Sequence, residues 1–172
     1  MFYQAGDTKF KVIVYKSVTD NEKIVSFIKE TQPKLCLLDA RCVISFAQIK
    51  LAVMTAIAAQ RANRSQSKSL YVEILRCFSP DGRLGAAFQY FAFGNETKCA
   101  IAITLEDTFE QIEGLGSPVP IESYNFQENA DLKTIRDIFQ ITDEMLTVYT
   151  YEEIIMSTVS VLATDLMRLR IV

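Results

Sequence analysis

Residues 35–94 alternate between apolar segments and helical patterns, and this alternation restricts the chain to folds that combine a sheet with helices. The apolar residues 35–38, followed by Asp39, predict a buried strand over residues 35–39. Ser45 followed three positions later by Gln48 has the capping-box spacing that begins a helix, here predicted over residues 46–61. This first half of the segment therefore predicts a strand that passes through a short turn into a helix.

The rest of the chain continues the same alternation. Strands are predicted where apolar residues alternate or run without interruption, at residues 10–18, 70–78 and 99–105, with an edge strand at 122–126. Helices are predicted from periodic apolar positions and terminal signals, over residues 20–30, 79–94, 107–113 and 131–140, and from a second capping box at Thr150 and Glu153 almost to the end of the chain. The turn-rich residues 114–120 form a long connection.

These elements predict an α+β fold. We expect a single domain spanning residues 1–172, with a central mixed or antiparallel sheet of about four strands packed against several helices, including a long C-terminal helix. No segment approaches the roughly 20 uninterrupted apolar residues of a membrane helix, so no membrane partner is expected. The N-terminus lacks the basic and apolar regions of a secretory signal, which predicts a cytoplasmic or nuclear location, or both.

The composition argues against most catalytic chemistry. The chain has no histidine, which removes His-based triads, His general bases and His metal ligands. Its four cysteines lack C-x-x-C spacing and are expected to be buried, reduced thiols. Carboxylate, thiolate, Lys or Tyr chemistry is what remains, and we expect no cofactor and no metal. The alternative is a small-molecule-binding domain or enzyme that uses the strand-to-helix edge from Asp39 to Ser45, where ligands of sheet proteins often lie.

The two halves of the chain carry opposite net charge. Residues 1–90 contain 13 Lys or Arg and 7 Asp or Glu, a net charge of +6, whereas residues 91–172 contain 5 and 14, a net charge of −9, which together give −3. A local basic surface can attract RNA even on an acidic protein, because screening confines each charge to about 8 Å at physiological salt. The basic half therefore leaves RNA binding open, with Arg41, Lys50, Arg61, Arg64 and Lys68 as the candidate phosphate contacts.

Three of these cations, Arg61, Arg64 and Lys68, fall at the end of a predicted helix and in the polar loop after it. The structural alternative is that they interact favourably with the helix dipole and with solvent. Binding of a single-stranded RNA end would also need aromatic surfaces for base stacking, for which Phe46 and Tyr71 are the candidates.

The predicted C-terminal helix has more apolar positions than one buried face requires. Val161 and Met167 lie partly outside the stripe that should face the core, and the chain ends in Ile171-Val172. Such an excess is typical of a helix that also packs into a groove of another protein, although a wide core-facing stripe with a frayed end is the alternative. The candidate interface residues are Val161, Leu166, Met167, Leu169, Ile171 and Val172.

Two segments, CLLDARCVISFAQIKLAVMTAI at residues 36–57 and YVEILRCFSPDGRLGAAFQYFAFG at residues 71–94, resemble the TPRKB-type subunit of the KEOPS tRNA-modification complex. The resemblance implies a non-catalytic accessory subunit that binds the complex's small kinase, the p53-related protein kinase. It also implies that the chain helps recruit tRNA by its 3′ end, while a different subunit installs threonylcarbamoyl on adenosine.

The chain departs from this family at one helix. Archaeal relatives often carry histidines near the start of the helix that corresponds to residues 46–61, whereas this chain has Ala47, Gln48 and Lys50 there. The RNA-contacting residues are therefore predicted from their chemistry. A protein-binding scaffold without RNA contact is the remaining alternative.

Overall fold

A five-stranded antiparallel sheet forms the centre of the protein, as seen in a computed structural model that describes residues 2–109 and 112–168. β2 (Thr8–Lys16) pairs with β4 (Cys99–Thr104) on one side, and β4 pairs in turn with β3 (Cys36–Asp39). On its other side, β2 pairs with β1 (Tyr3–Ala5) near one end and with β5 (Ser117–Val119) near the other.

Eight α-helices surround the sheet in the described part of the chain. They are α1 (Asn21–Thr31), α2 (Phe46–Arg61), α3 (Leu70–Arg76), α4 (Leu84–Tyr90), α5 (Phe126–Asn129), α6 (Leu132–Phe139), α7 (Asp143–Leu146) and α8 (Tyr151–Arg168), with two 3-10 turns at Ala40–Cys42 and Ile121–Ser123. The α+β prediction with a long C-terminal helix is confirmed. Within the described ranges, none of the helices is long and apolar enough to cross a membrane.

Both faces of the sheet are buried, which explains the continuous apolar run in β4. Ile101 and Ile103 lie in the larger core, which also receives side chains from α2, α3 and α8. Ala100 and Ala102 alternate with them and lie in a smaller core with Ile24 of α1. Because successive strand residues point to opposite faces, a strand buried on both sides needs apolar residues at every position.

The outer edge of β3 is closed by the backbone of residues 91–93. The Asp39 N–H donates to the Phe91 carbonyl at 2.9 Å, and the Phe93 N–H donates to the Leu37 carbonyl at 3.2 Å. This pairing covers an edge that would otherwise expose unpaired backbone groups.

Residues 70–78 are not the strand that their content of Tyr, Val and Ile predicts, because α3 occupies Leu70–Arg76. The side chains of Glu73 and Arg76 are both buried and joined by an ion pair. Residues three apart share a face of a helix, whereas they point to opposite faces of a strand. Pairing these two buried charges therefore requires the helix.

Three other predicted elements also differ from the structure. The helix after α3 begins at Leu84, not at Ser79, because residues 79–82 form a turn that ends with Gly82 at a positive φ of 65°. The predicted edge strand at 122–126 is replaced by the 3-10 turn Ile121–Ser123 and the start of α5. The helix predicted over residues 107–113 is not observed, because residues 107–109 and 112–113 are not helical. The strands β1 and β5 were not predicted, and β5 lies within the residues 114–120 that were predicted as a connection.

The predicted capping box of α8 is complete, whereas that of α2 forms only its N-cap half, because Gln48 Oε1 accepts from the Ile44 N–H at 2.9 Å and not from the Ser45 N–H. Ser45 Oγ accepts from the Gln48 N–H at 3.3 Å at the start of α2. At α8, Thr150 Oγ1 accepts from the Glu153 N–H at 3.3 Å, and Glu153 Oε2 accepts from the Thr150 N–H at 2.7 Å. Each contact satisfies backbone donors that the first turn of a helix leaves without a partner.

Candidate functional site

Residues 61–69, here called the basic segment, connect α2 to α3 and carry three cations and no carboxylate. The segment leaves α2 through Asn63, whose backbone is left-handed with a φ of 54°. The Arg64 N–H then reaches back to the Ala59 carbonyl at 2.8 Å, which is the hydrogen bond of a Schellman-type helix end. This geometry sets the direction in which the segment departs from the helix.

The middle of the basic segment is held by a buried carboxylate. Glu73 Oε2 accepts hydrogen bonds from the Gln66 N–H at 3.2 Å and the Ser67 N–H at 3.1 Å. Ser67 Oγ in turn accepts from the Ser69 N–H at 3.2 Å. The segment is therefore an ordered turn with its amides directed inward.

Arg76 binds the other carboxylate oxygen of Glu73. Its Nε and Nη2 donate to Glu73 Oε1 at 3.0 and 2.5 Å, and its Nη1 donates to the Gly82 carbonyl at 3.2 Å. Glu73 and Arg76 are both 0% exposed. Sequence reasoning missed this pair because it assigned the residues to a strand, although their i,i+3 spacing within a possible helix was a usable signal.

Arg61, at the start of the basic segment, has partners within the protein. Its Nη1 lies 2.7 Å from Asp7 Oδ1, and its Nη2 donates to Thr8 Oγ1 at 2.9 Å. The hydrogen bond from Arg61 lowers the pKa of the Asp7 carboxyl. The Arg61 and Asp7 side chains are both exposed, and an ion pair at an exposed site contributes little stability. Arg64 is half-buried and Lys68 is exposed.

The other two predicted RNA contacts lie farther away. Lys50 is exposed on α2, about 16 Å along the helix axis before Arg61 at a rise of about 1.5 Å per residue, and on nearly the same face. Arg41 follows β3 at the end of the sheet opposite to Thr8, and its guanidinium pairs with Asp39 at 3.2 Å and Glu96 at 3.9 Å. The structure therefore groups Arg61, Arg64 and Lys68, extends that group along α2 to Lys50, and separates Arg41 from it.

An apolar pocket of about 290 Å³ opens beside the basic segment, between α1, β3, α3 and α4. Ser69, the last residue of the segment, forms part of its wall, and Tyr71 and Phe88 supply aromatic rings. Phe88 is 53% exposed, although its helical spacing from Leu84 and Phe91 predicts an inward position. The exposed Lys29 also contributes to the lining. The pocket thus combines an apolar floor with positive charge nearby.

The two predicted stacking residues have different environments. Phe46 packs into an aromatic cluster, with its ring centroid 4.6 Å from Tyr3 and 6.4 Å from Phe10. Tyr71 is half-buried in the pocket wall, where its hydroxyl accepts from the Leu105 N–H at 3.5 Å. Tyr71 is therefore the better placed of the two to contact a bound base.

At the edge from Asp39 to Ser45, the Asp39 carboxylate has structural partners. Asp39 Oδ1 accepts from the Arg41 N–H at 3.0 Å and Oδ2 accepts from the Thr97 hydroxyl at 3.0 Å, so the carboxylate holds the turn together. Burial raises the pKa of the Cys42 thiol to about 12, which keeps it protonated and a poor nucleophile at neutral pH.

Helix α8 presents an apolar side chain to solvent at Val161, which is 58% exposed between the buried Val159 and Ala163. Leu166 and Met167 belong to α8, but their side chains lie outside the described part of the structure, as do residues Leu169, Ile171 and Val172 entirely. Sequence reasoning missed two further exposed apolar residues, Val148 and Tyr149, which precede α8 and are 70% and 56% exposed.

Comparison with known proteins shows the family to which this chain is similar. The model of the family described as kinase binding protein CGI-121 matches residues 15–163. This chain belongs to that family. The match includes the basic segment, the apolar pocket and Val161, whereas Asp7, the partner of Arg61, lies before it.

Three curated relatives share the name EKC/KEOPS complex subunit CGI121. The protein of Candida glabrata is 23% identical over 158 residues, which cover 88% of this chain and 89% of the relative. That of Eremothecium gossypii is 26% identical over 150 residues, covering 80% and 83%, and that of Kluyveromyces lactis is 27% identical over 130 residues, covering 72% and 82%. The likeness to the CGI-121 family therefore extends over most of each protein.

Proposed function

We propose that this chain is a single-domain, non-catalytic accessory subunit of KEOPS. It binds the small kinase of the complex and helps recruit the 3′ end of tRNA for threonylcarbamoyladenosine modification, in the cytoplasm, the nucleus or both. The observation that supports this proposal most directly is the family match over residues 15–163, together with relatives that are named as KEOPS subunits.

The kinase contact is assigned to α8 and the residues just before it. Val161 offers an apolar side chain on a long helix, which suits packing into a groove of a partner protein. The half of the chain that contains α8 has a net charge of −9, which would favour a basic partner surface. Leu166, Met167, Leu169, Ile171 and Val172 would extend the same contact.

The RNA contact is assigned to the basic segment. Arg61, Arg64 and Lys68 supply three positive charges in nine residues, without a carboxylate among them. Such cations bind phosphates and release counterions, which makes the affinity depend on salt concentration. Lys50 would continue the path of the backbone along α2, and Arg41 would meet a more distant phosphate.

The adjoining pocket would accept a base from the single-stranded end. Tyr71 and Phe88 offer aromatic surfaces, and stacking on such a surface contributes about 1–3 kcal/mol per base without strict sequence preference. Because Ser69 belongs to both the pocket wall and the basic segment, a base in the pocket would lie next to phosphates on the segment.

Fluorescence anisotropy with labelled tRNA at two salt concentrations tests the RNA contact. In the double variant Arg64→Ala/Lys68→Ala, the slope of log affinity against log salt should fall by about 0.7 for each single-strand phosphate that the variant no longer neutralises. The control Lys98→Ala/Lys133→Ala removes the same charge from exposed positions elsewhere and should match the wild type. Equal binding of intact tRNA and tRNA that lacks its 3′ end would contradict the proposal.

Calorimetry with the purified kinase tests the protein contact. Val161→Asp places a charge at the proposed apolar contact and should weaken binding at least tenfold. Ser160→Asp introduces the same charge at the neighbouring exposed position, about 100° away around the helix axis, and should have little effect on binding. Wild-type affinity in Val161→Asp would remove this surface from the interface.

A further inference from the structure

The carboxylate of Glu73 is saturated by four donors from two directions. Oε1 accepts from Nε and Nη2 of Arg76, and Oε2 accepts from the backbone N–H groups of Gln66 and Ser67. Both charged side chains are withdrawn from water. Each carboxylate oxygen of Glu73 therefore accepts two hydrogen bonds from within the protein.

We infer that Glu73 and Arg76 are positioning residues that hold the basic segment in the shape that meets RNA. This inference rests on the RNA-binding part of the proposed function. Neither residue would touch RNA, because both are fully buried. Their effect passes through the backbone of Gln66 and Ser67, which lie between the cations Arg64 and Lys68.

A stabilising role alone does not explain why Glu73 and Arg76 form a buried ion pair. Burying two charges carries a desolvation cost, and well-packed apolar residues of similar volume often support a fold equally well or better. Apolar residues cannot accept hydrogen bonds from the two inward-directed amides. What the pair supplies specifically is a fixed acceptor for the basic segment, with the guanidinium orienting that acceptor from the opposite side.

Arg76 extends the arrangement toward α8. Its Nη1 donates to the Gly82 carbonyl, and a methyl group on Gly82 would lie 3.0 Å from that nitrogen and 2.8 Å from Leu162 Cδ1. The turn at residues 79–82 is therefore packed between the guanidinium and α8. Releasing the guanidinium would loosen this turn, whereas a change confined to Glu73 acts first on the basic segment.

The double variant Glu73→Met/Arg76→Leu tests the inference without leaving an unpaired buried charge. Because the variant also removes the donor to the Gly82 carbonyl, we expect it to remain folded with a lower unfolding midpoint, to exchange the amide hydrogens of Gln66 and Ser67 at least tenfold faster, and to bind tRNA about tenfold more weakly. In the single variant Glu73→Gln, which keeps Arg76 and its contact with the turn beside α8, kinase affinity should stay within twofold of the wild type. The single variant Glu73→Gln should also release the two amides, because its one amide oxygen should face the charged guanidinium of Arg76, the stronger donor, and its NH2 group cannot accept from Gln66 and Ser67.

Three outcomes would decide the matter. Fast exchange of both amides with unchanged tRNA affinity would overturn the inference, because the segment would then bind RNA without its anchor. Unchanged exchange would overturn it as well, since the pair would not be holding the segment. A wild-type chain that binds no tRNA would instead overturn the proposed function and the RNA part of this inference, while the exchange rates would still show whether the pair anchors the segment.

Discussion

Gly82 lies directly against Leu162 of α8, so close that a methyl group on the glycine would lie 2.8 Å from Leu162 Cδ1. The glycine also has a φ of +65°, which side-chain-bearing residues rarely adopt. Both constraints follow from the turn that separates α3 from α4. The long C-terminal helix therefore depends on a glycine that is distant in sequence.

Replacing Gly82 by alanine should destabilise the protein by about 1–3 kcal/mol, because the change adds backbone strain to a steric clash. Gly85→Ala is the matched control, since a Cβ there meets nothing within 4 Å and the backbone has no positive φ. That variant should be neutral or stabilising by about 0.5 kcal/mol. Urea unfolding monitored by circular dichroism measures both, and equal midpoints for the two variants would contradict this account.

The capping box of α8 should make stability depend on pH. Hydrogen bonds from the backbone and the hydroxyl of Thr150 lower the pKa of Glu153 below its ordinary value of 4.5. A carboxyl whose pKa is lower in the folded state stabilises the protein above the pKa of the unfolded state, and this contribution is lost as the pH falls through the folded-state pKa.

Glu153→Gln should therefore lower stability at pH 7 and bring the variant closer to the wild type as the pH falls below about 4. Glu152→Gln removes a neighbouring carboxylate and serves as the control. Thermal unfolding from pH 3 to pH 7 gives the comparison, and a constant difference between Glu153→Gln and the wild type over that range would disprove the assignment.

Asp7 should compete with RNA for Arg61. The carboxylate lies 2.7 Å from the guanidinium at an exposed site, so Asp7→Asn should release Arg61 at little cost in stability. We expect tRNA affinity to rise by about twofold to threefold at low salt, and the gain to disappear in Asp7→Asn/Arg61→Ala. Anisotropy titrations test this, and weaker binding by Asp7→Asn alone would indicate that the ion pair orients Arg61 for RNA.

Phe88 should contribute to RNA binding more than to stability. More than half of its surface is exposed, so Phe88→Ala should change the free energy of unfolding by less than about 1 kcal/mol. Loss of one stacked base should weaken binding of a single-stranded 3′-terminal oligonucleotide by about 1–3 kcal/mol. Val148→Ala, which removes an exposed apolar side chain from the segment before α8, should bind as the wild type does, and an equal loss in both variants would exclude a stacking role.

The elements that could be predicted from the sequence are those whose signals are local. α2 and α8 begin with Ser45 and Thr150, whose side chains cap backbone groups within three residues. The double burial of β4 follows from its uninterrupted apolar residues, because no other environment suits such a run in a strand. The grouping of Arg61, Arg64 and Lys68 was likewise visible, since these residues are close neighbours along the chain.

The sequence by itself therefore determined the α+β class, the starts of α2 and α8 and a short basic segment, because each depends on residues only a few positions apart. Only the tertiary structure decided that Leu70–Arg76 is a helix, that Arg41 lies far from the other cations and that an apolar pocket opens beside the basic segment. The intrinsic preferences of Tyr71, Val72 and Ile74 favour a strand. Burial of Glu73 and Arg76 outweighs those preferences, because two buried charges are tolerated only when their side chains meet.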